Sequence, residues 1–137
     1  MNPGMKVIYQ GELRNNAQHL RSGNTLTTDA PLDNNGKGEA FSPTDLLCTS
    51  LATCMMTLIG IAAQSKGIAI GNIEAEIEKV MASNPRRVSE IHIAFTIQDM
   101  NFGEKERAIL ENAALTCPVA KSLHPDIQQQ IGFNYSK

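Results

Sequence analysis

Cys54 and Cys117 are the two residues of this chain whose type and setting best suit covalent chemistry. Cys54 lies in the middle of 43–66, a stretch that is patterned as a helix and carries charge only near its ends. Cys117 stands directly before Pro118 in a Thr-Cys-Pro-Val-Ala turn, at the predicted start of another helix. Two thiols that are far apart in sequence can act as a redox pair if the fold brings them together.

The immediate neighbours of the two thiols favour Cys117 as the more reactive one. With Pro118 as the first helical residue, Cys117 takes an N-cap-like position, where free backbone N–H groups and the helix dipole favour a thiolate. The apolar surroundings of Cys54 disfavour a thiolate, so an activating cation has to come from elsewhere in the fold. The alternative to a reactive thiol is that Cys54 only packs in the core. For Cys117 the alternative is a loop cysteine of ordinary reactivity. Cys48 falls on another face of the same helix and is predicted to pack.

The composition limits the kinds of partner. The chain has 137 residues, which fits one domain over 1–137 with a sizeable core. The net charge is −2 and the lysines and arginines are scattered, so the sequence predicts neither a basic surface for nucleic acid nor a patch for a membrane surface. Polar residues interrupt the apolar stretch 43–66, and no apolar signal core stands near the N-terminus, so we expect neither a membrane span nor export. Three cysteines, an odd number, favour a reducing compartment, and we expect a cytoplasmic protein.

The histidines and glycines predict no metal or nucleotide site. His19, His92 and His124 are dispersed, and no pair of Cys or His residues has the close spacing of a zinc site. The same dispersion gives no support for a protease-like Cys-His dyad. The segment Gly36-Lys37-Gly38 lacks the spacing and the preceding strand of a phosphate-binding loop. We therefore expect no metal and no bound organic cofactor.

The apolar stretch has strong signals at both ends. Ser42 suits the N-cap, Pro43 suits the first helical position, and Asp45 can turn its carboxylate toward free backbone N–H groups. Lys66-Gly67 ends the helix with a cation in the last turn and a glycine just beyond it. The sequence therefore predicts one long helix over 43–66.

That predicted helix is apolar or small on nearly every face, as expected for a helix that is buried on all sides. At about 1.5 Å per residue it spans roughly 36 Å, which is long for the interior of one small domain. We therefore expect a second copy of the chain to cover part of it in a homodimer. The apolar residues are Leu46, Leu47, Leu51, Ala52, Met55, Met56, Leu58, Ile59, Ile61 and Ala62.

The other segments predict strands and two further helices, which together make an α+β domain. Short strands are expected at 6–11 and 25–29, with a turn-rich connection between them and a polar loop at 30–40 after them. Residues 72–82 alternate apolar with acidic side chains, which is typical of a half-exposed strand with an acidic outer face. After a hairpin turn follow a strand at 88–98 with His92 outward, an amphipathic helix at 104–115, a short helix at 118–123 and a strand at 127–135.

Several segments together match the motifs of one known family. Residues 42–47 (Ser-Pro-Thr-Asp-Leu-Leu) and 51–55 (Leu-Ala-Thr-Cys-Met) resemble the central-helix signature of the OsmC/Ohr family. Residues 117–123 (Cys-Pro-Val-Ala-Lys-Ser-Leu) resemble its second cysteine motif, and the spacing between the two cysteines also suits the family. Residues 11–14 (Gly-Glu-Leu-Arg) and 26–31 (Leu-Thr-Thr-Asp-Ala-Pro) are similar to its opening strands. The likeness therefore runs essentially from end to end.

This resemblance implies both a fold and an activity. The fold is the OsmC-like α+β fold, with antiparallel sheets around a long buried central helix, in an intertwined homodimer with two active sites at the subunit interface. The activity is thiol-dependent reduction of organic hydroperoxides in oxidative or osmotic stress defence. Cys54 becomes the peroxidatic thiol and Cys117 the resolving thiol, which reverses the order that their neighbours favour. A lipoyl or thioredoxin-like dithiol would reopen the disulfide.

The family also implies an arginine from the N-terminal segment beside the peroxidatic thiolate. Arg14 is the best match, and Arg21 is the alternative. In well-understood hydroperoxide-resistance members a carboxylate ten residues before the first cysteine holds this arginine, and that position is Thr44 here. Glu39 and Asp45 are the remaining candidates to orient it.

Two other functions stay open, and the threonine at that position motivates the first of them. One is a binding or sensing protein that uses an apolar interfacial pocket for a small hydrophobic ligand and has little peroxidase activity. The other is a purely structural role for all three cysteines. Peroxide turnover, ligand content and thiol alkylation rates distinguish the three.

Overall fold

The computed structural model describes residues 1–137 and contains both helices and strands, which confirms the predicted α+β class. A short 3₁₀ turn at Leu32–Asn34 lies in the predicted polar loop. The long helix and the amphipathic helix have the predicted bounds. The elements are β1 (Met5–Gly11), β2 (Arg14–His19), β3 (Thr25–Asp29), α1 (Pro43–Lys66), β4 (Ile73–Ala82), β5 (Arg87–Gln98), α2 (Glu104–Leu115), α3 (Pro118–Ser122) and β6 (Gln128–Ser136).

The chain divides into two compact units, Met1–Leu47 and Cys48–Lys137. The boundary falls within α1. The first unit contains β1, β2 and β3, and the second contains most of α1 with all later elements. That the whole chain acts as a single domain stays a prediction.

β2 replaces the turn-rich connection that we expected between β1 and β3. It is the central strand of an antiparallel sheet in the order β1-β2-β3. Asn15 and Asn16 are poor strand formers when taken alone. Pairing along both edges satisfies the backbone groups of β2, and this long-range gain outweighs the local preference.

A two-residue turn, Glu12-Leu13, joins β1 to β2 and fixes where Arg14 begins the second strand. Both turn residues have positive φ, 54° and 62°, as in a type I′ hairpin. The left-handed region strains a bulky residue such as leucine. The Leu13 N–H donates to the Tyr9 hydroxyl at 3.2 Å, which offsets part of that strain. The turn thereby makes Arg14 the first residue of β2, and the register between β2 and β3 sets it opposite Asp29.

α1 begins and ends as the sequence predicts. The Asp45 N–H donates to Ser42 Oγ at 3.0 Å, and the Ser42 N–H donates to Asp45 Oδ2 at 2.9 Å. This reciprocal capping box confirms Ser42 as the N-cap. Gly67, at φ 67°, takes the left-handed conformation directly after Lys66, the last helical residue.

α1 is buried along one stripe of the single chain rather than on every face. Ile61, for example, is 56 % exposed. By length and composition alone this helix could cross a membrane, a test that core helices of soluble proteins also pass. That a second copy covers its open face stays a prediction. The buried residues recur at helical spacing: Cys48, Leu51, Ala52, Met55, Ile59 and Ala63.

The second unit holds a three-stranded sheet in the order β4-β5-β6. β5 pairs antiparallel with β4 but parallel with β6, so the expectation of antiparallel sheets is wrong for this second pair. α2 and α3 stand between β5 and β6 in the chain and supply the crossover that a parallel pair requires. One face of this sheet shares a core with α1 and α2. Its fully buried members include Leu51, Met55, Ile59, Ile91, Phe95, Ile97 and Leu110.

Candidate active site

α1 places Cys54 beside its buried stripe. Cys54 directly precedes the buried Met55, is itself half-buried, and packs against the core of the second unit. The helix carries no charged side chain between Asp45 and Lys66, so this thiol lies at the edge of an apolar region. Cys48 is 2 % exposed within the same core, which confirms its predicted packing role.

Cys117 forms the N-cap of α3, as the sequence predicts. Its Sγ accepts a hydrogen bond from the Ala120 N–H at 3.2 Å, and Pro118 is the first helical residue. The Cys117 side chain is fully buried, as are Leu110 and Ala114 of the preceding helix α2. The end of α2 and the start of α3 therefore hold this sulfur inside the core of the second unit.

The fold brings the two thiols together within the second unit. Cys54 lies close enough to Cys117 to act on its pKa, and both are free thiols. Burial raises the pKa of Cys117 above its ordinary value. The Ala120 N–H acts to lower this pKa, while the neighbouring Cys54 raises it further. Desolvation therefore acts on Cys117 more strongly than the helix start does, so the N-cap position alone does not make this thiol a thiolate.

Arg14 is held by two carboxylates in the first unit. Its Nε donates to Asp29 Oδ1 at 2.7 Å, and its Nη2 donates to Asp29 Oδ2 at 2.8 Å. The same Nη2 donates to Glu39 Oε1 at 2.9 Å, so the predicted candidate Glu39 does contact this arginine. The Asp29 side chain is 1 % exposed, whereas that of Glu39 is 65 % exposed.

Arg14 and Asp29 are both charged. The hydrogen bond from Arg14 holds the pKa of Asp29 below its usual range, although burial of the carboxyl group acts to raise it. The hydrogen bond to Asp29 in turn raises the pKa of Arg14. Arg14 therefore stays cationic at any pH at which the protein works.

Asp29 is the residue of this cluster that sequence reasoning missed. It ends a predicted strand just before Ala30-Pro31, so its position is typical of a strand terminus. The cross-strand register that sets it opposite Arg14 depends on β2, which the sequence did not predict. The sequence did offer one signal for this ion pair: an acidic residue, Asp29, at the end of one strand, and a basic residue, Arg14, after a hairpin turn.

The other predicted candidates take other positions in the first unit. The Asp45 carboxylate is engaged in the capping box with Ser42. Thr44, at the position of the family carboxylate, has its Oγ1 3.2 Å from Ser42 Oγ. Arg21, the alternative arginine, is exposed in the turn that follows β2.

The outer face of the second sheet carries a groove of about 540 Å³, on the side away from the core. His92 points to this face, as predicted, with its Nε2 3.0 Å from Glu90 Oε1 and its Nδ1 3.5 Å from Glu78 Oε1. The small residues Ala94 and Gly132 form part of its floor. The histidine is thus engaged with strand neighbours on the face opposite to the two thiols.

Comparison with known proteins assigns the chain to a family. A family model described as OsmC-like protein matches residues 36–131. The chain belongs to the OsmC-like family. The matched range includes both cysteine motifs of this OsmC-like protein, and it begins after Arg14 and Asp29.

Solved structures share the OsmC-like fold over nearly the whole chain, which confirms the predicted fold. A proposed osmotic stress induced and detoxification response protein from Psychrobacter arcticus is 57 % identical, with a TM-score of 0.92 and coverage of 98 % of this chain and 97 % of that chain. An organic hydroperoxide resistance protein OsmC from Legionella pneumophila is 16 % identical, with a TM-score of 0.71 and coverage of 95 % and 96 %.

A third solved structure comes from Vibrio cholerae. It is described as a proposed organic hydroperoxide resistance protein with captopril bound in one of its active sites. It is 17 % identical to this OsmC-like protein, with a TM-score of 0.72 and coverage of 95 % of this chain and 90 % of that chain. At such identities the likeness shows the fold alone. A comparison with curated proteins gave no match.

Proposed function

We propose that this OsmC-like protein is a thiol-dependent peroxidase that reduces organic hydroperoxides in oxidative or osmotic stress defence. The observation that carries the proposal is the pair formed by Cys54 and Cys117, two neighbouring free thiols of which Cys117 lies inside the apolar core and Cys54 packs against it. The Legionella pneumophila and Vibrio cholerae neighbours are described in terms of organic hydroperoxide resistance, which supports this substrate class. Apolar surroundings also suit an alkyl peroxide better than hydrogen peroxide.

The proposed cycle has three redox steps. The Cys54 thiolate attacks the distal peroxide oxygen, the O–O bond breaks, and the leaving alkoxide takes up a proton to become an alcohol. Cys54 is thereby oxidised to a sulfenic acid. Cys117 loses its proton and attacks the oxidised sulfur, so that a disulfide forms and the hydroxyl group leaves as water. A lipoyl or thioredoxin-like dithiol then opens the disulfide by exchange and is itself oxidised.

The surroundings of the two sulfurs support this division of roles. The raised pKa of Cys117 keeps that thiol protonated at neutral pH, so it is a poor initial nucleophile. The resemblance to the family assigns Arg14 to stabilise the Cys54 thiolate and the developing alkoxide. A fixed cation can stabilise both the thiolate and the alkoxide, because each of these groups carries negative charge near the reacting oxygen.

The proposal includes the setting in which the enzyme works. We expect a cytoplasmic homodimer with two active sites at the subunit interface. Apolar residues of α1 that are exposed in the single chain, such as Ile61, support the dimer. The cycle requires only thiols, peroxide and a dithiol reductant, so it needs no metal and no bound organic cofactor. Neither a nucleic acid nor a membrane takes part in it.

Replacement of each cysteine in turn tests the proposal. Cys54→Ser should abolish consumption of cumene hydroperoxide, because it removes the sulfur that accepts the oxygen atom. Cys117→Ser should leave a single turnover intact and trap a sulfenic acid on Cys54, which dimedone labelling and mass spectrometry detect. Cys48→Ala is the matched control and should keep turnover, since Cys48 packs in the core.

Two outcomes would count against a peroxidase. Cumene hydroperoxide consumption by Cys54→Ser at the parent rate would remove that cysteine from the mechanism. A stoichiometric small hydrophobic ligand in native mass spectrometry, without peroxide turnover by the parent protein, would favour the ligand-binding function instead.

A further inference from the structure

We propose that Asp29 is the positioning residue that fixes the guanidinium of Arg14 for catalysis. The inference rests on the proposed function for its catalytic consequence and on the first unit alone for its geometry. It assigns to the end of β3 the task that the resemblance gives to a carboxylate ten residues before Cys54, where this chain has Thr44.

The contact between the two residues has the geometry that orients an arginine. Asp29 accepts two hydrogen bonds, from Nε at 2.7 Å and from Nη2 at 2.8 Å, so one edge of the planar guanidinium faces one carboxylate. Such a bidentate pair fixes direction as well as distance. The bonds use Nε and Nη2, which leaves the Nη1 end of Arg14 for an anionic partner.

The carboxylate is itself held in place. Asp29 is directly paired with Arg14 across β2 and β3, and it is 1 % exposed. Its Oδ2 also accepts from the Glu39 backbone N–H at 3.1 Å. A buried carboxylate with three hydrogen bonds has little freedom to turn, so it can transmit a fixed orientation to the arginine.

Glu39 contributes a weaker hold on the same arginine. Its side chain is 65 % exposed and makes one contact with Arg14, to Nη2 at 2.9 Å. Exposed ion pairs contribute little because water and salt screen them. Asp29 is therefore the main anchor and Glu39 an auxiliary partner.

Replacement of the charge at Asp29 tests this role. Asp29→Asn should lower kcat/KM for cumene hydroperoxide by about tenfold to a hundredfold, since a misplaced catalytic group costs about that much. It should also slow iodoacetamide alkylation of Cys54 at neutral pH and move the pH profile of that reaction to higher pH, because the thiolate loses an oriented cation. Glu39→Gln should change both quantities less than Asp29→Asn does.

Glu12→Gln is the matched control. It removes the nearby ion pair between Lys37 and Glu12, at 3.0 Å, and keeps the three hydrogen bonds that Arg14 donates to Asp29 and Glu39. We expect it to leave kcat/KM and the alkylation profile of Cys54 within about twofold of the parent, since an exposed pair adds little. Folded Asp29→Asn protein with parent values of both quantities would overturn the inference, because a merely structural role of Asp29 would lower only stability.

An NMR measurement keeps the inference testable if Asp29→Asn does not fold or if the parent protein has no peroxidase activity. The Nε–H resonance of Arg14, assigned by its loss in Arg14→Lys, should exchange slowly with solvent in the parent and in Glu39→Gln. Rapid exchange in the parent would show that Asp29 does not hold the arginine. Slow exchange in a parent protein without peroxide turnover would instead support the contact between Asp29 and Arg14 and reject the proposed function.

Discussion

At the scale of single residues, the two thiols differ in what surrounds each sulfur. Cys117 is fully buried and its Sγ accepts a hydrogen bond from the Ala120 N–H, while Cys54 is half-buried on α1. Desolvation disfavours the charged form of Cys117 by more than the cap favours it, so its pKa is raised. A thiol that stays protonated until its partner is oxidised suits the proposed resolving step.

The raised pKa of Cys117 predicts how disulfide closure depends on pH. The attacking form is the thiolate, and its fraction grows about tenfold per pH unit below the pKa. Closure should therefore keep accelerating above pH 8.5 or so, where an ordinary cysteine begins to level off.

The measurement is stopped-flow detection of the sulfenic acid on Cys54 after one equivalent of peroxide. The loss of this species is followed from pH 6 to pH 10. Cys117→Ser provides the baseline without closure. A rate that levels off near neutral pH would contradict a raised pKa in the reacting protein.

At the scale of secondary-structure elements, α1 joins the local capping signal to the placement of Cys54. Its capping box fixes the first turn, and its buried stripe packs on the second sheet. Because the two ends of α1 are set in this way, they determine which helix residues form the buried stripe. Cys54 lies beside that stripe, so its approach to Cys117 depends on how α1 is docked.

Removal of the cap should destabilise the protein measurably. Ser42→Ala loses the Oγ that accepts from the Asp45 N–H, and such a loss costs about 0.5–2 kcal/mol in the free energy of unfolding. Urea denaturation followed by circular dichroism measures this difference. Ser65→Ala, at an exposed position near the other end of α1, is the control and should change stability by less than about 0.5 kcal/mol.

At the scale of the whole molecule, the single chain leaves an apolar sheet face open. The register of the first sheet puts Met5, Val7 and Tyr9 of β1 on the same face as Leu26 of β3, and all four are exposed. A face of this kind supports the proposed homodimer, because water contact with contiguous apolar surface is unfavourable. Ile61 on α1 adds to the exposed apolar surface of the chain.

A lysine placed in this face should weaken the dimer. Val7→Lys puts a charge among apolar side chains and should raise the dimer dissociation constant by about a hundredfold or more, if the face is an interface centre. Size-exclusion chromatography with light scattering should show twice the chain mass for the parent and a concentration-dependent shift to the chain mass for the variant. Gln18→Lys, on the other face of the same sheet, is the control. A parent protein with the mass of one chain would reject the dimer.

The sequence by itself determined the elements whose signals are local. The ends of α1 follow from Ser42, Pro43 and Lys66-Gly67, because capping depends on neighbours a few residues away. The amphipathic helix α2 follows from its periodicity in the same way. The paired cysteine motifs and the capped helix also determined the family, since their order along the chain is a linear property.

Tertiary structure alone decided the features that depend on distant parts of the chain. β2 is a strand because two partners satisfy its backbone, and β6 is parallel because helices carry the chain back across the sheet. Burial decides the pKa of Cys117, and the register between β2 and β3 selects Asp29 as the partner of Arg14. Desolvation and cross-strand contacts arise only when remote segments meet, so no local pattern in the sequence encodes them.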